Sequence, residues 1–187
     1  MNFDTGRFIL KIAETSEELH AAQRLRYKVF VEEMGANVAD DCHASRMEYD
    51  KFDQDFDHLI LIDSLNRNTA ENVVGVYRLM LNTSVSKNRG FYSSSEYNLD
   101  KLIKADRKIL ELGRSCIDKQ HRGGVALHMM WNGLAQYVID NNVEVLFGVA
   151  SFHGVDINLI NHALSYLHYN HLAPVELRPI AIGENKI

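Results

Sequence analysis

The sequence predicts a mixed α/β fold in one domain, with a central sheet covered by helices on both faces. Three observations predict it. Short apolar runs of strand length recur along the chain, the early ones joined by polar turns and the later ones alternating with helical periodicity. The chain has 187 residues, the size of a single domain spanning 1–187. Its 46% hydrophobic and 24% charged content is ordinary for a globular protein able to bury a core.

The elements follow in order. FILKIA (8–13) reads as a strand. Thr15 and Glu18 have the spacing of a capping box and open a helix to about Met34, with Leu19, Ala22, Val29 and Phe30 as its apolar stripe. Residues 35–57 are acidic, lack periodicity and read as a long loop, which in a compact domain is often functional. HLILID (58–63) and VVGVYRLML (73–81) read as strands joined by a polar turn. A second polar loop, 82–96, precedes a short helix over 97–105. KILELGRSCI (108–117) is a strand whose interior Gly113 marks a bulge or a close backbone approach. A helix over 124–140 places Leu127, Met130, Trp131, Leu134 and Val138 at core spacing. VEVLFGVAS is a buried strand, Asp156 caps a helix to about Tyr169, and VELRPIAI is a last strand that Pro179 pushes toward an edge.

Charge and cysteine usage exclude several classes. Acidic residues outnumber basic ones 25 to 20, for a net charge of −5, and no basic stripe suggests nucleic acid. Cys42 and Cys116 form no CxxC, so a reducing, cytoplasmic setting is expected. No basic region followed by an apolar run opens the chain, and no stretch approaches the length of a membrane span. Contact with a membrane surface stays open. His162, His168 and His171 crowd one region, but no carboxylate joins them at ligand spacing, so no metal site is expected.

Four charges sit where apolar residues belong. Arg26 falls in the middle of the first helix's stripe, whereas Arg24 points the other way and is expected to be solvated. A core-facing arginine needs an anionic partner; the plainer alternative is snorkelling at the stripe's edge. Arg78 shares a strand face with Val74, Val76 and Met80. Glu111 and Arg114 are flanked by apolar residues, and a bulge at Gly113 would bring both to one side of the sheet. Each alone could be a structural ion pair; together they suggest a charged pocket. Glu48, Asp50, Asp53, Asp55 and Asp57 either form a solvated loop or supply its counter-charges. Gly123 and Gly124, after a strand and before a helix, either make an ordinary turn or expose N–H groups to a phosphate.

The blocks RYKVFVEEMG, MEYDKFD, VVGVYRLM and LELGRSCI resemble, in order and spacing, two groups of the GNAT acyltransferase superfamily. These are the ornithine–acyl-carrier-protein N-acyltransferases that make lyso-ornithine lipid and the acyl-homoserine-lactone synthases. The later blocks LGRSCIDKQHRGGVALHMMWNGLAQYV, LFGVASFHGVD and ALSYLHYNHLAP resemble the ornithine group, and the Trp that lactone synthases usually carry after the RxxxF block is absent from EEMGANV. The resemblance runs from about residue 8 to about 182. It implies a GNAT fold and transfer of a (3-hydroxy)fatty acyl group to the α-amine of L-ornithine. The donor would be the acyl-phosphopantetheine thioester of acyl-carrier protein, a substrate rather than a bound cofactor, and peripheral contact with an inner membrane would fit. It also implies Arg26, Asp50, Asp53, Arg78, Glu111 and Arg114 as the shared polar set. HRGGVA, with His121, Arg122, Gly123, Gly124 and Ala126, approximates the phosphate motif.

On this reading Glu111, directly or through water, takes the proton from the amine, and backbone N–H groups beside the bulge hold the oxyanion. Arg26 and Arg114 organise the carboxylates, and Arg78 joins them or binds the substrate carboxylate. Cys116 lacks an adjacent His and reads as a structural cysteine rather than an acyl carrier. The family continues beyond the point where this chain ends, so either a shortened homologue or a fragment, without the final strand of the sheet, is expected. Other outcomes are a lactone synthase, another amino-acid N-acyltransferase, or an inactive domain that only binds acyl chains.

Overall fold

The computed structural model describes residues 2–86, 88–152, 154 and 156–183. Strand β1 (Asn2–Asp4), not anticipated from the sequence, pairs antiparallel with β2 (Phe8–Ile12). Helix α1 (Ser16–Arg26) begins at the Thr15–Glu18 capping box and continues as a π-helix over Tyr27–Glu33, so the stretch read as one α-helix changes its winding just after Arg26. The supposed loop 35–57 carries α2 (Asp40–Ser45) and a 3-10 turn at Asp53–Asp55. Strands β3 (Asp57–Asp63) and β4 (Val73–Leu81) form the expected hairpin. A 3-10 turn at Tyr92–Ser95 leads to β5 (Tyr97–Asn98) and α3 (Asp100–Lys104). Then come β6 (Ile109–Ile117), α4 (Val125–Asp140), β7 (Val145–Gly148), α5 (Ile157–His171), capped by Asp156 as expected, and β8 (Ile180–Ala181).

Six strands form one mixed sheet in the order β1-β2-β3-β4-β6-β7, antiparallel except for the parallel β6–β7 pair. Strand alternation divides its side chains between two helical layers. Leu10, Leu59, Leu61, Leu79 and Leu110 pack with α4, whereas Ile60, Val76 and Cys116 pack with Ala21, Ala22 and Leu25 of α1 and with Val29 of the π-helix. Val76 and Met80 share the face of Arg78, but a register shift at Leu61/Ile62 moves Val74 to the α4 side.

Four expectations need correction. In VEVLFGVAS only Val145–Gly148 is a strand, at the edge of the sheet, and it is partly exposed rather than buried. The buried face of α4 is Ala126, Met129, Met130, Gly133, Leu134 and Tyr137; Leu127 and Trp131 are 45% and 57% exposed. Gly133 sets this rotation, because a Cβ there would lie 2.6 Å from Leu10 Cδ2, so only glycine lets the helix approach the sheet along that line. Arg24 is half-buried, its Nε donating to the Ala70 carbonyl at 2.8 Å, rather than solvated. In VELRPIAI only β8 is a strand, and it pairs with β5 outside the main sheet.

Candidate active site

Arg26 ends α1 with its side chain 0% exposed, and Arg78, in the middle of β4, is equally buried. Between them lies Asp53, whose Oδ1 accepts from Arg26 Nη1 at 2.8 Å and from Arg78 Nη1 at 2.7 Å, while Oδ2 accepts from Gln23 at 2.9 Å. Glu48 accepts from Arg26 Nε at 2.5 Å and from Arg114 Nε at 2.9 Å. Asp50 accepts from Arg78 Nη1 at 2.9 Å and from Arg114 Nη2 at 3.4 Å. The pairs close a ring in which each arginine bridges two carboxylates and each carboxylate bridges two arginines, Arg26–Glu48–Arg114–Asp50–Arg78–Asp53. Three positive and three negative charges make it neutral, the condition under which ionised groups tolerate burial. Burial alone pushes the Asp53 carboxyl up, but the charges and hydrogen bonds of Arg26 and Arg78 more than offset this and hold it below the usual carboxylate range. Arg114 loses solvation too, yet Glu48 and Tyr92 keep its guanidinium more firmly protonated than usual.

Arg114 reaches the ring through a bulge. Gly113 pairs with Arg78 and Cys116 with Val76, so Arg114 and Ser115 together oppose the single residue Tyr77. The bulge that the sequence reading placed at Gly113 falls on the next residue, Arg114, which takes the left-handed conformation at φ 53°. Arg114 and Asp50 form the open edge of the ring, their side chains 24% and 22% exposed. That edge faces a cavity of about 1110 Å³. Ser115, Val149, Ala150 and Ser151 also line the cavity, where β6 and β7 have parted beyond the Leu112–Gly148 pair.

Glu111 lies on the same side but outside the ring. It is 1% exposed. Its Oε2 accepts from the Tyr92 amide at 2.9 Å, and its Oε1 accepts from the Ser93 amide at 2.7 Å and the Ser93 hydroxyl at 2.6 Å. It thereby pins the 92–95 turn. That turn holds the Tyr92 ring over two guanidiniums, 5.0 Å from Arg114 and 5.6 Å from Arg78. Tyr92, Glu48 and Gln23 therefore belong to the site beyond the six residues singled out from sequence. Glu48 was legible as an acidic-loop carboxylate; Tyr92 and Gln23 carried no signal, having ordinary positions in a loop and on a helix.

The HRGG segment lies elsewhere. His121 sits between Asp63 at 3.2 Å and Asp118 at 3.5 Å, on a second cavity of about 590 Å³ beside α1. Arg122 clamps Glu33 at 2.5 and 2.8 Å. Gly123, at φ +76°, makes the turn, Gly124 starts α4 without a side-chain cap, and Ala126 is buried. The His121 amide donates to the Asp118 carbonyl at 2.8 Å, so only backbone N–H groups after His121 are left for an anion. Burial pushes the Cys116 thiol up to about 12, which leaves it un-ionised and inert. Among the described residues, no group of His, Cys, Asp and Glu could hold a metal ion, and no helix is long and apolar enough to cross a membrane.

A family model described as the acetyltransferase (GNAT) domain matches residues 25–132, which run from the end of α1 to the first half of α4 and include every member of the ring. The chain belongs to the GNAT acyltransferase family. Among relatives of this GNAT domain, the L-ornithine N(alpha)-acyltransferase of Rhodobacter capsulatus is 46% identical over 173 residues, covering 92% of this chain and 67% of the relative. That of Agrobacterium fabrum is 34% identical over 182 residues, covering 96% and 62%. The chain thus spans about two thirds or less of the length of these relatives. Among solved structures, the AHL synthase LasI superposes with a TM-score of 0.53 at 18% identity, covering 86% of this chain and 78% of the other. FeeM, an N-acyl amino acid synthase from uncultured soil microbes, gives 0.55 at 14% identity, covering 87% and 78%. At such identities the likeness is one of fold.

Proposed function

We propose that this GNAT domain transfers a fatty acyl group from a thioester to the α-amine of L-ornithine, the first step of ornithine lipid synthesis. The reading is supported by relatives that carry that activity in their names and by the neutral charged ring with one edge open to a cavity. The thioester of acyl-carrier protein is the proposed donor, delivered at the opening between β6 and β7.

The amine nitrogen attacks the thioester carbonyl, forming the C–N bond, and the C–S bond breaks as the thiolate leaves. Backbone N–H groups of β6 beside the bulge stabilise the oxyanion. The amine must shed a proton. The sequence assigns that proton to Glu111, but Glu111 is enclosed and already accepts three hydrogen bonds. Asp50 has the exposed oxygen and the longest tie in the ring, so we assign it the proton, with Glu111 acting on the turn. The departing thiolate receives a proton in turn. Arg26, Arg78 and Asp53 hold this edge rigid from below, and Arg114 offers the substrate carboxylate a cation.

The test is incubation with acyl-carrier protein bearing a 3-hydroxyacyl chain and a panel of amino acids, with free thiol and acylated product measured together. Nα-acylornithine as the main product supports the reading. Thiol release without an ornithine adduct, or an acyl-homoserine lactone when S-adenosylmethionine is supplied, overturns it.

A further inference from the structure

A diamino acid brings one more positive charge than a neutral amino acid does, and the ring has none to spare for it. Asp53, Glu48 and Asp50 are balanced by three arginines, and Glu111 is taken by the 92–93 turn. Asp41, on the cavity wall, accepts from the Tyr49 hydroxyl at 2.9 Å and from the Cys42 amide.

Glu96 lines the same cavity and differs from all of these. Its side chain is half-buried and, among the described residues, makes no hydrogen bond or ion pair. Its backbone is fixed from both sides. The amide donates to the Ser93 carbonyl at 3.1 Å, and the carbonyl accepts from the Ile182 amide at 2.9 Å. The next residue, Tyr97, pairs with Ala181. Glu96 also follows Tyr92 by four residues, a little over one 3-10 turn, which at about 2 Å rise per residue puts their backbones roughly 8 Å apart along the axis. Tyr92 covers Arg114, and Tyr92, Glu96 and the open edge of the ring at Asp50 and Arg114 line the same cavity. Four covalent bonds separate the α-carbon of ornithine from its side-chain nitrogen, a reach of about 5 Å.

We propose that Glu96 binds the side-chain ammonium of the acceptor, making the site selective for amino acids with a second, distal amine. The proposal rests on the acyltransferase reading above and adds the substrate class that its acceptor pocket discriminates. A partly desolvated carboxylate without a partner is a poor arrangement in the empty site and a favourable one once a cation reaches it. A placement fixed by backbone hydrogen bonds means that little ordering is required on binding.

The experiment compares ornithine with norvaline, which has the same carbon chain without the distal amine, in the wild type, Glu96→Gln and Glu96→Asp. Acyl transfer gives kcat and KM, calorimetry gives acceptor binding directly, and thermal melting checks the fold. The wild type should favour ornithine, and Glu96→Gln should lower the ornithine-to-norvaline ratio of kcat/KM by on the order of 30-fold, through the ornithine KM rather than kcat. Glu96→Asp should keep part of the preference. A Glu96→Gln protein that discriminates as the wild type does overturns the proposal, as does a wild type that binds the two acceptors equally. If the wild type acylates neither yet binds ornithine more tightly in a Glu96-dependent way, the subsite stands and the acyltransferase reading falls.

Discussion

Ser93 donates twice to a single oxygen of Glu111, through its amide at 2.7 Å and its hydroxyl at 2.6 Å. An ionised carboxylate accepts both without conflict, and its other oxygen takes the Tyr92 amide. Glutamine cannot reproduce this, because whichever way the amide turns, an N–H group faces an N–H donor. Glu111→Gln should cost about 1–3 kcal/mol of stability through that buried mismatch. It should also slow acyl transfer by releasing Tyr92 from Arg114. If Glu111 acts through the turn, Ser93→Ala and Tyr92→Leu should reproduce part of the kinetic loss without shifting the pH–rate profile. A Glu111→Gln enzyme with the wild-type melting temperature and no activity would instead place Glu111 in proton transfer.

Asp50→Asn tests the exposed edge. We expect kcat to fall on the order of a hundredfold or more, as for loss of a positioned base. Melting should fall by less than in an Arg26 variant, since one of Asp50's two ion pairs, that with Arg114, is long and partly in solvent, whereas the pair with the buried Arg78 at 2.9 Å is lost. Turnover and melting measured on the same sample decide it, and wild-type kcat in Asp50→Asn removes the residue from the chemistry.

Arg26 should behave differently. Its removal leaves Glu48 and Asp53 short of a counter-charge in a buried setting, so Arg26→Met should lose about 3–5 kcal/mol in denaturant unfolding. Arg26→Lys should restore little, because one ammonium cannot span two carboxylates as a guanidinium fork does.

Acid should weaken the fold in two stages. Burial pushes the His58 imidazole below its usual range, and its Nε2–H donates to the Asp53 carbonyl, 3.0 Å away. The unfolded chain therefore binds a proton there first, and stability present above about pH 6.5 is lost as pH falls below that value. Asp53, whose folded pKa is held down, contributes stability above the unfolded carboxylate range that is lost below about pH 4. Melting temperatures from pH 8 to pH 3 should fall in both windows, and His58→Gln should flatten the upper one alone.

Docking of an acidic carrier protein needs a local basic patch. Lys101, Lys104, Arg107 and Lys108 precede the Glu111 strand, although Lys104 already pairs loosely with Asp100 at 3.1 Å. Reversing Lys104 and Lys108 to Glu should raise the KM for acyl-carrier protein at low salt, with the difference shrinking as salt rises. An unchanged KM at low salt discards this surface.

The parts of the fold written in local chemistry were legible. The Thr15–Glu18 box, the β3–β4 hairpin and the Asp156 cap depend on neighbours in sequence, and the structure has them where the pattern puts them. Arg26 and Arg78 were legible as candidates because each breaks an apolar pattern. What escaped depends on contacts between distant residues. The register of β6 against β4 decides that Arg114 rather than Gly113 takes the left-handed bulge. The approach of Gly133 to Leu10 decides which stripe of α4 is buried. Tyr92 and Glu96 gain their roles from backbone hydrogen bonds, to which sequence pattern is blind.

The closed ring also bears on how such a site can evolve. Losing any one member strands two opposite charges, so a second loss beside the first costs less than it would alone, and paired substitutions should be sub-additive. A lineage that alters the ring in single steps must pass through its worst variant first. Glu96 holds no such obligations within the described protein, and a change there removes no existing bond. Acceptor preference should therefore diversify at the rim of the cavity while the ring beneath it stays the same.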